Sequence, residues 1–259
     1  MTGPLVRETA GALRRRIESG ELEEGDRLPT EDKLIEQYHA SRNTVRAALQ
    51  LLATRGLVYK VHGKGTFVAE RASPIVTTLS GDPEKGPGGG EGLVYTAEVE
   101  ASGRSPSAGP PHVQIIKASS AIARLLRIAE GADVILRHQK RFVDELPWSL
   151  QASYYPRNLL SRAPRLLDTD DIEEGTVTYM AECGIKQAGY QDAIEWRDPN
   201  EDETAYFRLP ADGYVQVVEI RRIAFNQNEK RVRLTVTVYR ADRNRFVINV
   251  GNVPLSGRH

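Results

Sequence analysis

Ser41-Arg42-Asn43-Thr44-Val45-Arg46-Ala47-Ala48-Leu49-Gln50-Leu51-Leu52-Ala53-Thr54-Arg55, closed by Gly56, reads as a short helix with one apolar and one basic face. Ser41 is placed to accept a hydrogen bond from the backbone N–H of Thr44 and so to cap the helix. Val45, Ala48, Leu49 and Leu52 recur at i, i+3, i+4 and i+7, which makes one buried stripe. Gly56 supplies a left-handed residue to end the helix. Arg42, Asn43 and Arg46 lie off the stripe near the N-terminal end. Side chains of these types in the first turns suit the base edges and phosphates of a DNA major groove. Taken alone, the segment is equally an ordinary surface helix with solvated arginines. The flanks decide between the two.

Upstream, Val6, Ala10, Leu13 and Ile17 mark a first helix over Leu5 to Ser19, ended by Gly20. Arg14, Arg15 and Arg16 form a local cluster that is in part a solvated face. Gly25-Asp26 turns the chain. Thr30 caps a second helix, with Glu31 and Asp32 at its positive end and Leu34, Ile35 and Tyr38 inward. His39-Ala40 is a turn without glycine, and histidine tolerates the left-handed conformation better than most residues. Two short helices joined so tightly make a helix-turn-helix. Downstream, Leu57 to Val61 and Thr66 to Ala69 form a hairpin whose tip, His62-Gly63-Lys64-Gly65, is basic and glycine-rich. Gly63 and Gly65 serve both as turn residues and as points where backbone N–H groups approach phosphate. The net charge of zero conceals an uneven distribution. Residues 1–37 hold 6 basic and 9 acidic side chains, whereas residues 38–72 hold 6 basic and 1 acidic. A local basic face is what a nucleic-acid reader needs.

These motifs resemble the winged helix-turn-helix of GntR-type bacterial transcription regulators. The resemblance rests on Asp26-Arg27-Leu28-Pro29-Thr30-Glu31, Ser41 to Leu49, Gly56-Leu57-Val58 and His62 to Val68, in one register. It implies a DNA-binding repressor, usually a homodimer on a palindromic double-stranded operator. Arg42, Thr44 and Arg46 match helix positions that contact DNA in the family, and His62 and Gly63 match its wing-tip contacts. With Asn43, Lys64 and Gly65 they make up the expected DNA-binding set. Two positions depart. Asp32 stands where the family often has a DNA-contacting arginine, which Lys33 or Arg27 would have to replace, and His39 stands where glycine is usual.

Residues 1–72 are thus expected to form the DNA-binding domain. Residues 73–92 are expected to be a linker, because the Gly/Pro-rich run from Gly81 to Gly92 packs as neither helix nor strand, although a short strand around Ile75 to Leu79 is compatible. Residues 93–259 alternate strands and short helices. Val94 to Val99 and His112 to Lys117 read as strands, and a serine at 119 or 120 caps a helix through Leu126. Asp133 to Val143 and Trp148 to Tyr155 read as a hairpin about Asp144-Glu145-Leu146-Pro147. Thr176 to Cys183 is a helix, Ile185 to Arg197 a strand, and Asn200 to Leu209 a helix. Tyr214 to Asn226, Arg231 to Arg240 and Arg245 to Val250 are strands. The expected class is α+β with a mixed, mostly antiparallel sheet. Ala121–Tyr155 and Thr204–Tyr239 repeat one helix–hairpin pattern, which implies a pseudo-symmetric sheet with a cleft.

This half resembles the effector-binding domain of the HutC branch of GntR regulators, which shares the chorismate-lyase-like fold. The residues that carry it are Leu125 to Gly131, Arg141, Asp144-Glu145-Leu146-Pro147, Ser153-Tyr154-Tyr155-Pro156 and Tyr239 to Phe246. The resemblance implies a cleft for a small, often anionic metabolite, with Arg141, Ser153 and Tyr239 at matching ligand positions. Gln151 and Arg233 join them as candidates, at positions where the family frequently has acids; Gln139 replaces a frequent arginine. Each also has a purely structural reading. Arg141 can pair with Asp144 or Glu145, and Tyr239 can be core with its hydroxyl satisfied.

No catalytic set assembles. His39, His62, His112, His138 and His259 lack metal-ligand spacing, Cys183 has no evident base, and no phosphate-binding glycine loop or dinucleotide fingerprint occurs. No catalytic residue, metal or cofactor is therefore expected. The single cysteine forms no internal disulfide and fits a reducing cytoplasm; no apolar run approaches the roughly 20 residues of a membrane span, and no secretory signal is evident. The expected function is a ligand-responsive regulator. A DNA-binding dimer without effector, or a lyase-type enzyme, are the alternatives.

Overall fold

The computed structural model of the chain describes residues 3–61, 63–69, 74–79, 92–209 and 215–249. It contains two compact units, Met1–Pro74 with Asn200–Val215, and Ile75–Pro199 with Gln216–His259.

In the first unit, helix α1 (Pro4–Glu18) starts on a proline and buries Ala10, Leu13 and Ile17. Helix α2 (Glu31–Tyr38) is capped by Thr30, whose side chain accepts from Lys33 N at 3.4 Å. It ends at His39, which takes the left-handed conformation with φ 47°. Helix α3 (Arg42–Thr54) is capped by Ser41, which accepts from Thr44 N at 3.1 Å. Its stripe of Val45, Ala48, Leu49 and Leu52 packs on Leu13, Ile17 and Leu34 in one apolar core. Strands β1 (Val58–Val61) and β2 (Gly65–Val68) pair antiparallel, Val58 opposite Val68 and Val61 opposite Gly65. The 26–28 segment lies along the other edge of β2, with Leu28 N donating to Thr66 O and Val68 N to Asp26 O, both at 2.8 Å. The wing is thereby tied to the turn that precedes α2.

The second unit is built on a seven-stranded sheet. In chain order the elements are β3 (Ile75–Thr78), α4 (Gly92–Ala101), β4 (Pro106–Ala108), β5 (His112–Lys117), α5 (Ser120–Leu126), β6 (Asp133–Val143), β7 (Leu146–Pro156), α6 (Thr176–Glu182) and β8 (Gln187–Arg197). Helix α7 (Glu201–Tyr206), which belongs to the first unit, precedes β9 (Val217–Asn226), β10 (Arg231–Arg240) and β11 (Asn244–Val247). The sheet runs β4-β6-β7-β10-β9-β8, with β5 also on β6, and every pairing in it is antiparallel. The two hairpins β6–β7 and β9–β10 meet along β7 and β10, as the internal repeat predicts. β3 pairs in parallel with β11.

Two expectations are corrected, and one strand had no expectation at all. Val94 to Val99 is not a strand but lies in α4. Tyr95 and Val99, four residues apart, share one buried face and join Ile75, Leu79, Trp148 and Tyr239 in a core cluster. Apolar alternation fitted both periods, and the partner surface selects the helical one. Leu146 and Pro147 are strand, not turn: the hairpin closes on Asp144 and Glu145 alone, at φ 50° and 63°. That strand is β4; three residues are too few to show a period. Residues 81–91 of the Gly/Pro-rich run and His259 lie outside the described residues, whereas Gly92, expected to be linker, opens α4.

One face of the sheet explains much of what covers it. Along β6, β7, β10 and β9 it carries Arg137, Gln139, Arg141, Gln151, Ser153, Arg233, Thr235, Thr237 and Arg222 between two apolar clusters. Arg137 is buried, and its guanidinium donates to the carbonyls of Leu166, Asp168 and Asp170 at 3.1, 2.6 and 3.1 Å. Arg222 holds Asp192 at 2.6 Å and the Leu79 carbonyl at 3.1 Å, 3.8 Å over the Tyr190 ring. The opposite face packs α5 through Ala123 and Leu126 against an apolar patch of Val134, Ile223 and Leu234, and carries ion pairs such as Arg197–Glu219 away from it.

Arg137→Ala leaves three carbonyls without their donor, and urea unfolding should show a loss on the order of 3 kcal/mol. Glu145→Gly removes a side chain from a left-handed position of a two-residue hairpin, and the same measurement should show a gain of about 0.5–1 kcal/mol.

Candidate nucleic-acid interface and effector cavity

The first turns of α3 present Arg42, Asn43 and Arg46 to solvent, and Thr44 half-buried. Thr44 is drawn into the cap: its hydroxyl lies 2.8 Å from that of Ser41. The two arginines are each held by a carboxylate of α2. Arg42 Nη2 is 2.6 Å from Asp32 Oδ1, and Arg46 Nε is 2.8 Å from Glu31 Oε2. Lys60 on β1 adds a looser approach to Glu31 Oε1 at 3.9 Å. The basic character expected of this face is therefore partly neutralised by its neighbour helix. Exposed pairs of this kind contribute little to folding, so both arginines can exchange a carboxylate for a phosphate or a base at small cost.

At the wing, Gly63 and Gly65 have φ of 73° and 118°, and Lys64 is exposed between them. Gly65 has a second reason to be glycine: an added Cβ would stand 2.8 Å from the Arg27 side chain, which lies across the strand. Arg27 thus sits beside the wing. His62 lies outside the described residues.

In the second unit a cavity of about 420 Å³ opens over the polar stripe of the sheet. Its floor is Arg137, Gln139 and Arg141 from β6, Gln151, Ser153 and Tyr155 from β7, and Arg233 from β10. One wall is Val94, Tyr95 and Thr96 of α4, and the other is the 171–178 segment, including Asp171, Glu173 and Glu174. Alternation along the strands turns these side chains to one face. Arg141 lies 5.2 Å from the Tyr95 ring centroid. Tyr95 stacks on Trp148 at 4.6 Å and donates its hydroxyl to the carbonyls of Ser107 and Phe142. Burial pushes that hydroxyl's pKa up, so it remains a neutral donor. Ser153 meets Thr235 across the strands at 3.1 Å, and Arg233 donates to Gln187 at 3.0 Å. Gln151 is 6% exposed and lines the cavity with no protein hydrogen bond among the described residues. Glu174 is held by Arg165 at 2.6 Å. Its carboxyl pKa is lowered, first by a backbone hydrogen bond and then by that guanidinium.

Four of the five expected effector residues, Arg141, Gln151, Ser153 and Arg233, thus meet in one cavity. Tyr239 does not. It is fully buried beside the cavity, edge-on to Trp148 at 5.1 Å and to Phe246 at 5.2 Å, because its ring is the apolar filler between those two. Arg137 was missed. Its position two residues before Gln139 and four before Arg141 was the available signal, since strand alternation puts all three on one face. Tyr95 also lines the cavity, and the strand-like alternation of its segment hides this in the sequence. Among the described residues, no group of three His, Cys, Asp or Glu side chains could hold a metal, and no helix is long and apolar enough to cross a membrane.

Residues 5–68 match the family model for bacterial regulatory proteins of the gntR family, and residues 101–245 match that for the UTRA domain. The chain is 25% identical over 244 residues to the HTH-type transcriptional regulator GgaR of Escherichia coli (strain K12), covering 94% of this chain and 90% of that one. It is 24% identical to the HTH-type transcriptional repressor NagR of Bacillus subtilis (strain 168), over 94% and 93% of the two chains. A crystal structure of a GntR-family transcriptional regulator superposes with a TM-score of 0.62 at 25% identity, covering 96% of this chain and 98% of that one. A capped helix-turn-helix with a glycine-tipped wing, followed by a UTRA domain that spans more than half of the sequence, makes this chain a member of the GntR family: a DNA-binding, ligand-responsive transcription regulator.

Proposed function

We propose that the protein is a repressor of the HutC branch that binds a palindromic operator as a homodimer and is released by a small anionic metabolite. Residues 1–72 serve as the DNA-binding part and 93–259 as the effector-binding and dimerisation part; of the stretch expected to join them, 73–92, β3 packs with the second unit. It acts on DNA in the cytoplasm and catalyses nothing.

The observation that carries the anionic reading is Arg137. Its buried guanidinium lines the cavity and is met by three carbonyl dipoles and, among the described residues, by no carboxylate. Those bonds use three of its five N–H donors, leaving two for a ligand. A positive charge in a site of low dielectric favours an anion far more than it would in water. Gln151 offers an amide with donor and acceptor to the uncharged part of the same ligand. Arg141 and Arg233 supply further cationic character to the floor. Arg42, Asn43, Thr44, Arg46 and the wing residues His62, Gly63, Lys64 and Gly65 engage the operator, one recognition helix in each half-site, roughly 34 Å apart for one helical turn. Release follows if the effector favours a head arrangement other than this spacing, by the difference in its affinity for the two states.

The test is a thermal-shift panel of sugar phosphates, carboxylates and neutral sugars on the full chain, with operator duplex selected from a random pool. An anion at a hundredfold its Kd should raise the melting temperature by about 5–10 °C and lower duplex affinity. Stabilisation by neutral sugars alone would overturn the anionic reading; silence across the panel would favour a dimer without effector. Gln151→Glu places a negative charge on the cavity floor and should weaken anion binding about tenfold or more, leaving ligand-free DNA binding unchanged. Arg46→Ala should cost about 1–3 kcal/mol on the selected duplex and relax its sequence preference. Equal discrimination by wild type and variant in a competition assay would remove Arg46 from the base readers.

A further inference from the structure

The pairing of α2 with α3 carries an inference about sequence choice, one that rests on α3 being the DNA-reading helix. Glu31 and Asp32 differ in what they have left to offer. Glu31 has its side chain 25% exposed and both oxygens engaged, Oε2 by Arg46 and Oε1 by Lys60. Asp32 has its side chain 76% exposed and a single partner among the described residues, Arg42, on Oδ1. Oδ2 remains open. Arg42 uses only Nη2 in the pair, so Nε and Nη1 remain for another acceptor.

A carboxylate at this place brings a constraint with it. While the pair holds, any base edge that Arg42 reaches lies within one guanidinium's width of Asp32. In the major groove most groups offered there are acceptors: guanine O6 and N7, adenine N7 and thymine O4. An ionised carboxylate only accepts, so it is repelled by these and satisfied by an exocyclic amine alone. Cytosine N4 is such an amine with an acceptor on one side only, O6 of its paired guanine, whereas adenine N6 lies between its own N7 and thymine O4. We propose that Asp32 and Arg42 act as one two-residue reader. Arg42 takes a guanine edge while Asp32 orients it and accepts from the N4 amine of a neighbouring cytosine. Asp32 is then a specificity-determining residue, and its negative charge on a DNA-facing surface has a function.

The experiment is selection from a random double-stranded DNA pool by the full-length wild type, Asp32→Ala and Asp32→Asn, with circular-dichroism melting to verify equal folding. The wild type should enrich a half-site with a guanine and an adjoining cytosine. Asp32→Ala should lose discrimination at the cytosine position about tenfold and keep every other position. Asp32→Asn should move that position toward adenine, whose N6 and N7 match an asparagine amide. If both variants bind all duplexes more tightly with the wild-type preference intact, Asp32 merely repels phosphate and the proposal falls. If the wild type enriches no sequence, the DNA-reading assignment of α3 falls first and takes this inference with it.

Discussion

A guanidinium removed from water has to find acceptors, and one face of the second unit's sheet carries four buried arginines, Arg137, Arg141, Arg222 and Arg233. An apolar layer laid over that face would leave them uncompensated, at a cost no packing gain could offset. The covering elements are arranged around this need. The 166–170 segment turns its carbonyls to Arg137, β8 brings Asp192 and Tyr190 to Arg222, and α4 lays Tyr95 over Arg141. Apolar clusters seal the two ends of the face. Between them a polar, hydrogen-bonding space remains open, and that space is the cavity.

The same helix serves the cavity and the strand that leads out of the unit. Tyr95 and Thr96 of α4 stand in the cavity wall, and Glu98, one turn on, accepts from Thr78 N of β3 at 2.9 Å. The residue after β3, Leu79, has its carbonyl held by both Tyr190, at 2.6 Å, and Arg222. β3 begins immediately after the last N-terminal residue of the first unit. The polar stripe thus floors the cavity and, at Arg222, holds the carbonyl of the residue that follows β3.

The first unit works by a different balance. The core that joins its three N-terminal helices and wing is an apolar cluster, and its fold depends on caps and stripes that are local in sequence. Its surface charges are arranged in opposed pairs, arginines from α3 against acids from α2. Such pairs are weak in water and hold side chains in place without committing them. A reading surface prepared in this way is less attractive to arbitrary phosphate than its arginine content suggests. Discrimination then depends on which base edges can satisfy the carboxylate and the guanidinium together.

Much of this was legible in the order of residues. Thr30, Ser41 and Gly56 mark helix ends because caps are local chemistry, and the 3.6-residue spacing of Val45, Ala48, Leu49 and Leu52 names the buried stripe. The strands β6 and β10 are legible to the residue because alternation and flanking turns agree. Strand parity also puts Arg141, Gln151, Ser153 and Arg233 on faces that pairing could join. Local pattern could not decide Val94 to Val99, whose apolar residues suit either period until Trp148 and Tyr239 present a surface for a helix. It could not separate Tyr239, a core ring, from its polar-facing neighbours on β10, because burial depends on what Phe246 and Trp148 occupy. Nor could it show that Asp32 meets Arg42 or that Arg137 faces carbonyls more than 28 residues away in sequence. The sequence by itself determined most of the elements, the winged head and the α+β class, since these follow from periodicity and capping within a few residues. Only the tertiary structure decided which charges are paired and which cavity the buried arginines leave open, because those depend on contacts between segments far apart along the chain.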